Sequence, residues 1–327
     1  MDCCILTDTH MGIKNSNKFW LDLTYNLFEE ITDYCAINNV NKIVHLGDWF
    51  NSRYTINVLS IEMSYKIAKL LKDNDITLYI VKGNHDQYFK NKPKPHSLML
   101  FDKYDNVVVI DEPMEFDDEI ICPWGEIPIE TDKKILIGHY EIGGIITNAS
   151  GHTLDNTKLS IGDFSSFQKV YSGHFHTKSI TSNIHYIGST FPMSFNDVND
   201  SRGYYHYDSG ELVEFIEYMD APKFKQFTTA DDFSKIDIKG NICKLIFLKS
   251  FSDKGSIEII DKVKQYEPKE LHLNFKIDDG EVVEEEAFIG TNSEIMSHYI
   301  ENVVVLPEGL KKNIVKSYVK TLEKDIA

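Results

Sequence analysis

Two histidines separated by one residue occur in the segment Gly173-His174-Phe175-His176, directly after the apolar run Val170-Tyr171-Ser172. Histidine is the commonest protein ligand for transition metals, and a strand tip can aim two of them at one place. Four earlier segments share this design, in which an apolar run ends in glycine or threonine and then in aspartate, asparagine or histidine. They are Asp8-Thr9-His10, Gly47-Asp48, Gly83-Asn84-His85-Asp86 and Gly138-His139. Together the segments predict a metal site.

The apolar runs before these segments predict the elements that position them. Short strands are expected at residues 3–7, 42–46, 77–81, 134–137 and 170–172. Apolar residues recur every three to four positions at residues 18–38 and 57–72, which predicts two helices. Strands that alternate with helices indicate an α/β layered fold, in which sites form in the crevice outside the carboxyl ends of the strands.

This crevice collects seven candidate metal ligands with carboxylate, amide or imidazole donors and no thiolate. They are Asp8, His10, Asp48, Asn84, His139, His174 and His176. Such donors suit Mn, Fe or Zn rather than a structural zinc of the cysteine type. Seven ligands are too many for one small ion that must keep open positions for water and substrate. They suit two ions about 3.5–4 Å apart, as in two-metal phosphoesterases.

The same arrangement predicts roles in phosphoryl chemistry. A carboxylate shared by the two ions would fix their spacing, and Asp48 is our choice for it. His85 follows the ligand Asn84 and would protonate the leaving oxygen or stabilise the transition state. Asp86 would hold the His85 ring in one tautomer. The alternative for His85 is an ordinary hydrogen-bonded loop histidine.

Composition and charge narrow the class of protein. The 327 residues carry a net charge of −17, whereas proteins that hold nucleic acid mainly through their own surface are usually basic. The charge therefore argues against DNA binding unless bound cations or a partner subunit meet the phosphates. No stretch reaches the roughly 18 consecutive apolar residues of a membrane span, so no membrane association is expected.

The cysteines and the first residues indicate the compartment. Five cysteines without a CxxC motif make a disulfide framework improbable. The N-terminal segment carries an acid where a signal peptide carries base. We expect a cytoplasmic protein, in the host cytoplasm if the chain is phage-encoded.

The pattern changes beyond a boundary near Asp220-Ala221-Pro222. An apolar run, a helix-spaced segment and a strictly alternating segment predict a β-α-β module without any metal-type motif. An acidic linker and a helix with an apolar stripe follow, and the stripe packs either on its own domain or on a partner. These five segments are residues 242–247, 257–266, 271–277, 278–286 and 310–322.

The five ordered segments resemble the calcineurin-like metallophosphoesterase superfamily. Finer features are similar to the SbcD-like nuclease subunits of DNA double-strand-break repair and recombination complexes, which include bacteriophage recombination endonuclease subunits. These features are Asp8-Thr9-His10-Met11-Gly12, Gly47-Asp48-Trp49-Phe50, and Tyr186-Ile187-Gly188-Ser189-Thr190 with Arg202-Gly203-Tyr204.

The resemblance implies a fold and a domain order. Residues 1–220 would form a four-layer αββα metallophosphoesterase sandwich, which is the nuclease domain. Residues 221–285 would form a small α+β DNA-capping domain, and residues 286–327 a helical C-terminal tail that binds the ATPase partner.

The resemblance also implies ligands, activity and partners. Asp8, His10, Asp48 and His176 would hold one ion, and Asp48 with Asn84, His139 and His174 the other, Mn²⁺ being preferred. Members of the family cut DNA as exonucleases and endonucleases, form homodimers and work with an ABC-type coiled-coil ATPase. One departure is Asn51, where an acid is expected.

Two alternative functions remain open. The first is a phosphatase or cyclic-nucleotide phosphodiesterase of the same superfamily, which the β-α-β module disfavours because such enzymes need no such addition. The second is a catalytically weak scaffold that binds DNA ends and its ATPase, which the complete ligand set disfavours.

Overall fold

A computed structural model describes residues 1–128, 131–145, 153–154, 157–198, 200–248 and 253–275. The predicted acidic linker, the C-terminal tail and the last part of the predicted capping domain lie outside the described residues. None of the helices in the described ranges is both long enough and apolar enough to cross a membrane.

The described part of the chain contains strands, α-helices and short 3-10 turns, with the following bounds. In chain order the strands and helices are β1 (Asp2–Leu6), α1 (Ile13–Ser16), α2 (Lys18–Asn38), β2 (Lys42–His45), α3 (Val58–Asp73), β3 (Thr77–Val81), β4 (Val107–Ile110), β5 (Met114–Glu115), β6 (Glu119–Cys122), β7 (Ile135–His139), β8 (Ile142–Gly143), β9 (Leu159–Ser160), β10 (Lys169–Gly173), β11 (Ser179–Thr181), β12 (Ile184–Tyr186), β13 (Gly203–Asp208), β14 (Glu211–Glu217), β15 (Phe224–Thr228), β16 (Ile242–Phe247), α4 (Asp253–Lys264) and β17 (Glu270–Phe275). The 3-10 turns are Ser97–Phe101, Ile161–Phe164, Phe195–Asp197 and Phe233–Lys235.

Two six-stranded sheets dominate the first of two compact units, which spans Met1–Phe224. The first sheet has the order β14-β13-β1-β2-β3-β4, and the second has the order β11-β12-β10-β7-β6-β5. Each sheet is parallel at its centre, where β1, β2, β3 and β4 run together in one and β6, β7, β10 and β12 in the other. The parallel strands align their carboxyl ends at one edge of each sheet.

The two sheets share one apolar core, which makes them a sandwich. Ile5 and Val44 of the first sheet belong to the same buried cluster as Ile137 and Tyr171 of the second. The Tyr207 hydroxyl of β13 donates to the carboxylate of Glu119 on β6 at 3.0 Å, which joins the sheets by a buried hydrogen bond. The predicted α/β sandwich is therefore confirmed.

Two helices supply an outer layer for the first sheet. Both begin with an asparagine cap: the Asn17 side chain accepts from the Phe19 amide at 2.9 Å, and the Asn57 side chain accepts from the Leu59 amide at 2.9 Å. The inward face of α2 buries Trp20, Leu27 and Ile31, and that of α3 buries Ile67 and Leu71, as the helical spacing predicts. The apolar core of the second sheet extends to Phe164, in the 3-10 turn after β9.

The second compact unit begins at Lys225, close to the predicted boundary. Its sheet has the order β15-β16-β17, and β16 pairs in parallel with β17 after the crossover through α4. Phe227, Cys243, Leu245 and Val263 form its separate apolar core. The predicted β-α-β module thus has its own sheet and core.

A buried arginine ties the end of β12 to the start of β13. Arg202 is 2% exposed and donates to the Ser189 hydroxyl at 2.9 Å and to the Asp197 carboxylate at 3.0 Å. A second carboxylate oxygen, from Asp200, lies 3.1 Å from its guanidinium. Removing one partner of a buried ion pair leaves an uncompensated charge in the interior.

We expect Arg202→Met to lower the free energy of unfolding by about 3–5 kcal/mol, because it leaves the Asp197 carboxylate buried without its cation. Urea titration measures the change. The control Lys169→Met removes a more exposed ion pair with Glu211 and should cost about 0–1 kcal/mol. Equal effects of the two substitutions would show that the Arg202 network does not stabilise the fold.

Candidate metal centre

All seven predicted ligands lie where the carboxyl ends of the two sheets meet. Asp8, Asp48 and Asn84 follow β1, β2 and β3 of the first sheet, whereas His139 ends β7 and His174 follows β10 of the second. Register explains their proximity: His45 pairs with both Leu6 and Ile80 in the first sheet, and Gly173 pairs with His139 in the second. The loops that follow therefore start at the same level.

The backbone at four of these seven positions is held in the left-handed region. Asp8 has φ 54°, His10 φ 44°, Asp48 φ 56° and His174 φ 90°. This conformation costs roughly 1–2 kcal/mol for a residue with a side chain, and such strain concentrates at functional sites. Hydrogen bonds between the first two loops hold it in place, from the Asp8 amide to the Gly47 carbonyl at 3.1 Å and from the His10 amide to the Asp48 carbonyl at 3.1 Å.

The first group of donors consists of Asp8, His10 and His176. Nε2 of His10 lies 3.6 Å from Oδ1 of Asp8 and 3.1 Å from Nε2 of His176. Nε2 of His176 lies 3.8 Å from the same carboxylate oxygen. One oxygen and two nitrogens thus converge within 4.8 Å of one another, which is the spread of ligands around one ion.

The second group consists of Asp48, His139, His174 and Asn84. Oδ2 of Asp48 lies 3.5 Å from Nε2 of His139, and the Asn84 side-chain oxygen lies 3.0 Å from both Nε2 of His139 and Nδ1 of His174. Oδ2 of Asp48 also lies 3.8 Å from Nε2 of His10, in the first group. Asp48 therefore stands between the two groups, where a shared ligand would be.

The buried carboxylates of this crevice need positive charge beside them. The carboxylates of Asp8 and Asp48 are buried, and Oδ1 of Asp8 has no hydrogen-bond partner in the described structure. Burial acts to lower the pKa of His139, but the charge and hydrogen bond of Asp48 raise it to about 9. Burial acts to raise the pKa of Asp8, but His10 and the other imidazoles hold it well below its usual value. The donors therefore fit divalent metal ions, which would replace these protons as the positive charge.

His85 borders both groups and contributes a ring nitrogen within 4.8 Å of donor atoms of His10 and Asp48. Its Nδ1 lies 2.6 Å from the Asn51 carbonyl oxygen, which can only accept, so the Nδ1–H donates there and leaves Nε2 to face a reactant. The His85 amide donates to Oδ1 of Asp48 at 2.8 Å. Burial lowers the pKa of the imidazole.

Asp86 has a different role from the one predicted. Its carboxylate accepts from the backbone amides of Gly83 and Asp48 at 3.0 Å each, and from those of Trp49 and Phe50 at 3.3 and 3.2 Å. Burial and the charge of Asp48 raise the pKa of this carboxyl to about 6. The prediction that Asp86 orients the His85 ring is wrong, because its oxygens face backbone amides and the Asn51 carbonyl holds the ring.

Two further residues at the site, Trp124 and Glu141, carry no signal in the sequence motifs, and a third, Thr7, belongs to the first motif as the residue before Asp8. The indole ring of Trp124 packs against the rings of His139 and His174, with centroids 5.8 and 5.2 Å away. Oε1 of Glu141 lies 3.8 Å from Nε2 of His174, and the Thr7 hydroxyl donates to Asp8 at 2.7 Å. Trp124 follows β6, so the position of that strand beside β7 could have indicated it.

Residue 83 must be glycine because its Cα lies too close to Asp48 to leave room for a side chain. A Cβ atom on Gly83 would lie 2.2 Å from both the amide nitrogen and Oδ1 of Asp48. Any larger residue would therefore push the carboxylate out of place.

Two known proteins are similar in sequence to this chain. A protein of Enterobacteria phage T4 named exonuclease subunit 1 is 32% identical over 228 residues, which are 64% of this chain and 66% of that protein. The DNA double-strand break repair protein Mre11 of Methanococcus maripaludis is 26% identical over 254 residues, 66% of this chain and 65% of that protein. The chain thus spans just under two-thirds of the length of these relatives.

A solved structure, the nuclease MPE of Pseudomonas putida, superposes with a TM-score of 0.32 and 14% identity over 64% of this chain and 85% of that chain, which is too weak a similarity to support a conclusion. The family model for calcineurin-like phosphoesterases matches residues 1–178, more than half of the sequence. The chain therefore belongs to the calcineurin-like phosphoesterase family.

Proposed function

We propose that the protein is the nuclease subunit of a DNA double-strand-break repair or recombination complex and hydrolyses phosphodiester bonds with two Mn²⁺ ions. The observation that carries this proposal is the position of Asp48 between two donor groups. The names of the two relatives, an exonuclease subunit and a break-repair protein, support the choice of DNA as the substrate.

The chain's own residues would divide the work as follows. Asp8, His10, Asp48 and His176 hold one ion, and Asp48, Asn84, His139 and His174 hold the other. When bound, such ions acidify water and neutralise charge on phosphoryl oxygens. Oxygen and imidazole donors without thiolate are compatible with Mn²⁺.

His85 would manage the proton of the leaving group. Attack of water on phosphorus breaks the bond to the leaving deoxyribose oxygen, which must gain a proton. The Nδ1–H of His85 is engaged by the Asn51 carbonyl, so the proton would come from Nε2 of the doubly protonated ring, which becomes the neutral imidazole. The lowered pKa of His85 makes that imidazolium a readier proton donor. Asp86 supports the reaction by holding the loops that carry Asp48 and Asn84.

The proposed partners are a second copy of the chain and an ABC-type coiled-coil ATPase. Val58, Ile61 and Tyr65 lie on one face of α3 and are 76%, 38% and 49% exposed, an apolar face of the kind that marks protein contacts. We assign DNA capping to residues 221–285 and ATPase binding to residues 286–327. The protein would act in the cytoplasm, or in the host cytoplasm if phage-encoded.

We expect Asp48→Ala to reduce cleavage of labelled DNA in Mn²⁺ by more than about 100-fold. Losing a residue that only contacts a metal ligand costs about 10–100-fold, and losing a ligand shared by both ions should cost more.

His85→Ala should lower kcat about 10²–10⁴-fold while Mn²⁺ affinity is retained. The assay uses single- and double-stranded DNA, with a phosphomonoester in parallel. Hydrolysis of the monoester without DNA cleavage would support the phosphatase alternative, and neither activity with retained ATPase binding would support the scaffold.

Gly83→Ala should weaken Mn²⁺ binding about 10–100-fold, because the added methyl group displaces the Asp48 carboxylate. Isothermal titration calorimetry without substrate measures this loss. The matched control is Gly162→Ala, where the nearest atom to a new Cβ is 3.7 Å away, and its affinity should equal that of the wild type. Wild-type affinity in Gly83→Ala would place the ions away from Asp48.

Ile61→Glu should convert a dimer into a monomer, because a carboxylate on the apolar face of α3 would be desolvated in the interface. Sedimentation velocity at micromolar concentration reports the change. A wild-type chain that sediments as a monomer under these conditions would contradict the proposed homodimer.

A further inference from the structure

Three exposed aromatic side chains, those of Tyr54, Tyr88 and Phe89, pack on one another beside the candidate metal centre. They are 64%, 42% and 42% exposed. The rings of Tyr54 and Tyr88 are 5.5 Å apart at 90°, and those of Tyr88 and Phe89 are 4.8 Å apart at 79°. Rings in edge-to-face contact that stay this exposed leave faces open for a ligand that stacks. We call these three side chains the aromatic platform.

The aromatic platform is carried by the two loops that leave the site. Tyr54 lies three residues after Asn51, and Tyr88 lies three residues after His85. The hydrogen bond between His85 Nδ1 and the Asn51 carbonyl joins these loops at their bases. The Tyr88 amide also donates to the Pro95 carbonyl at 3.1 Å, which closes the second loop. The aromatic platform is therefore fixed relative to the reacting groups.

The same loops are basic in a strongly acidic chain. Residues 87–96 contain Lys90, Lys92 and Lys94 and no acid, and residues 50–57 contain Arg53 and no acid, although acids outnumber bases by 51 to 34 overall. Lys92 places its Nζ 5.5 Å from the centroid of the Phe89 ring. Lys94 pairs with Asp111 at 3.0 Å, but within the described residues no carboxylate forms a salt bridge with Lys90 or Lys92. Phosphates would be attracted here and repelled by much of the remaining surface.

We propose that the aromatic platform and its basic loops bind a single-stranded segment of nucleic acid, with bases on the rings and phosphates on Lys90, Lys92 and Arg53. Stacking platforms beside lysines are the recognition chemistry of unpaired strands, because every base has a face to stack. Bases in a duplex already stack on their neighbours and cannot use the rings. The inference rests on the proposed nuclease function and specifies the form of substrate, an unpaired end or gap.

A second copy of the chain fits this surface poorly. A two-fold interface places the same patch on both sides, so the lysines of residues 90–94 would face their own copies. Like charges across an interface oppose association. The apolar face of α3 has no such cluster of unpaired lysines and remains the better surface for self-association.

The test compares binding of the full chain to labelled oligothymidylate and to an abasic oligonucleotide of equal length, by fluorescence anisotropy with Ca²⁺ in place of Mn²⁺. Tyr88→Ala should weaken binding of oligothymidylate about tenfold and leave the abasic strand unchanged, because only the base contact is lost. Tyr88→Phe keeps the ring and should bind as the wild type does. Ile180→Ala, which removes another exposed apolar side chain (71% exposed) on β11, is the control and should bind both strands as the wild type does.

The lysines give an independent measurement. The double variant Lys90→Gln/Lys92→Gln should bind both oligonucleotides more weakly. The slope of log affinity against log salt concentration should fall in magnitude by about 0.7 for each lysine removed. Thermal unfolding checks that each variant is folded. A blunt duplex of the same sequence should bind with no dependence on Tyr88.

Several results would overturn the inference: no oligonucleotide binding by the wild type, equal loss for normal and abasic strands in Tyr88→Ala, or a change in sedimentation without a change in binding. The last would make the aromatic platform a contact between copies. If the wild type cleaves DNA and Tyr88→Ala binds oligothymidylate as the wild type does, only this inference is wrong. If the wild type binds single strands but cleaves no DNA, the proposed nuclease function is wrong.

Discussion

The carboxylate of Asp86 accepts hydrogen bonds from four backbone amides, and the site depends on this contact. Two of the amides belong to Gly83 and Asp48, so one buried side chain fastens the loop after β3 to the loop after β2. The backbone of Asp48 lies in the left-handed region, and such a strained conformation persists only where surrounding contacts over-determine it. Asp86 supplies those contacts, whereas Asp48 and Asn84 are candidate metal ligands. The residue that holds the loops and the candidate ligand Asn84 are thus only two positions apart in the chain.

The seven candidate ligands could be picked out of the sequence because their signal is local. Strand, glycine and polar residue follow one another directly, and parallel pairing then brings the strand ends to one edge. His45, which lies within β2, is not a candidate ligand: its Nε2 lies 3.0 Å from the Thr9 hydroxyl, and burial lowers its pKa to about 3. The ion-by-ion division of the ligands stays a prediction, since distances between donors do not by themselves assign them to an ion.

The features that the sequence did not reveal depend on contacts between distant loops. The partner of the His85 ring is a backbone carbonyl, that of Asn51, and backbone atoms have no sequence signature. The role of Asp86 depends on which way its side chain turns, which is set by burial beside four amides. Trp124 joins the site only because β6 lies next to β7. The net charge of the whole chain also hides its local distribution, because the loops around the aromatic platform contain no acid.

The pairing of His10 with His176 bears on how the protein acquires activity during synthesis. These residues are 166 positions apart, and the sheets that carry them are built largely from parallel strands joined by long crossovers. Contacts of such high sequence separation form late, because the entropy of closing the intervening chain must be overcome first. A ribosome-bound fragment that has folded only β1 to β4 holds the carboxylates of Asp8 and Asp48 without the imidazoles of the second sheet. A chain assembled in this order gains its complete set of candidate ligands only after His176 has been made, so a shorter nascent chain has neither donor group complete.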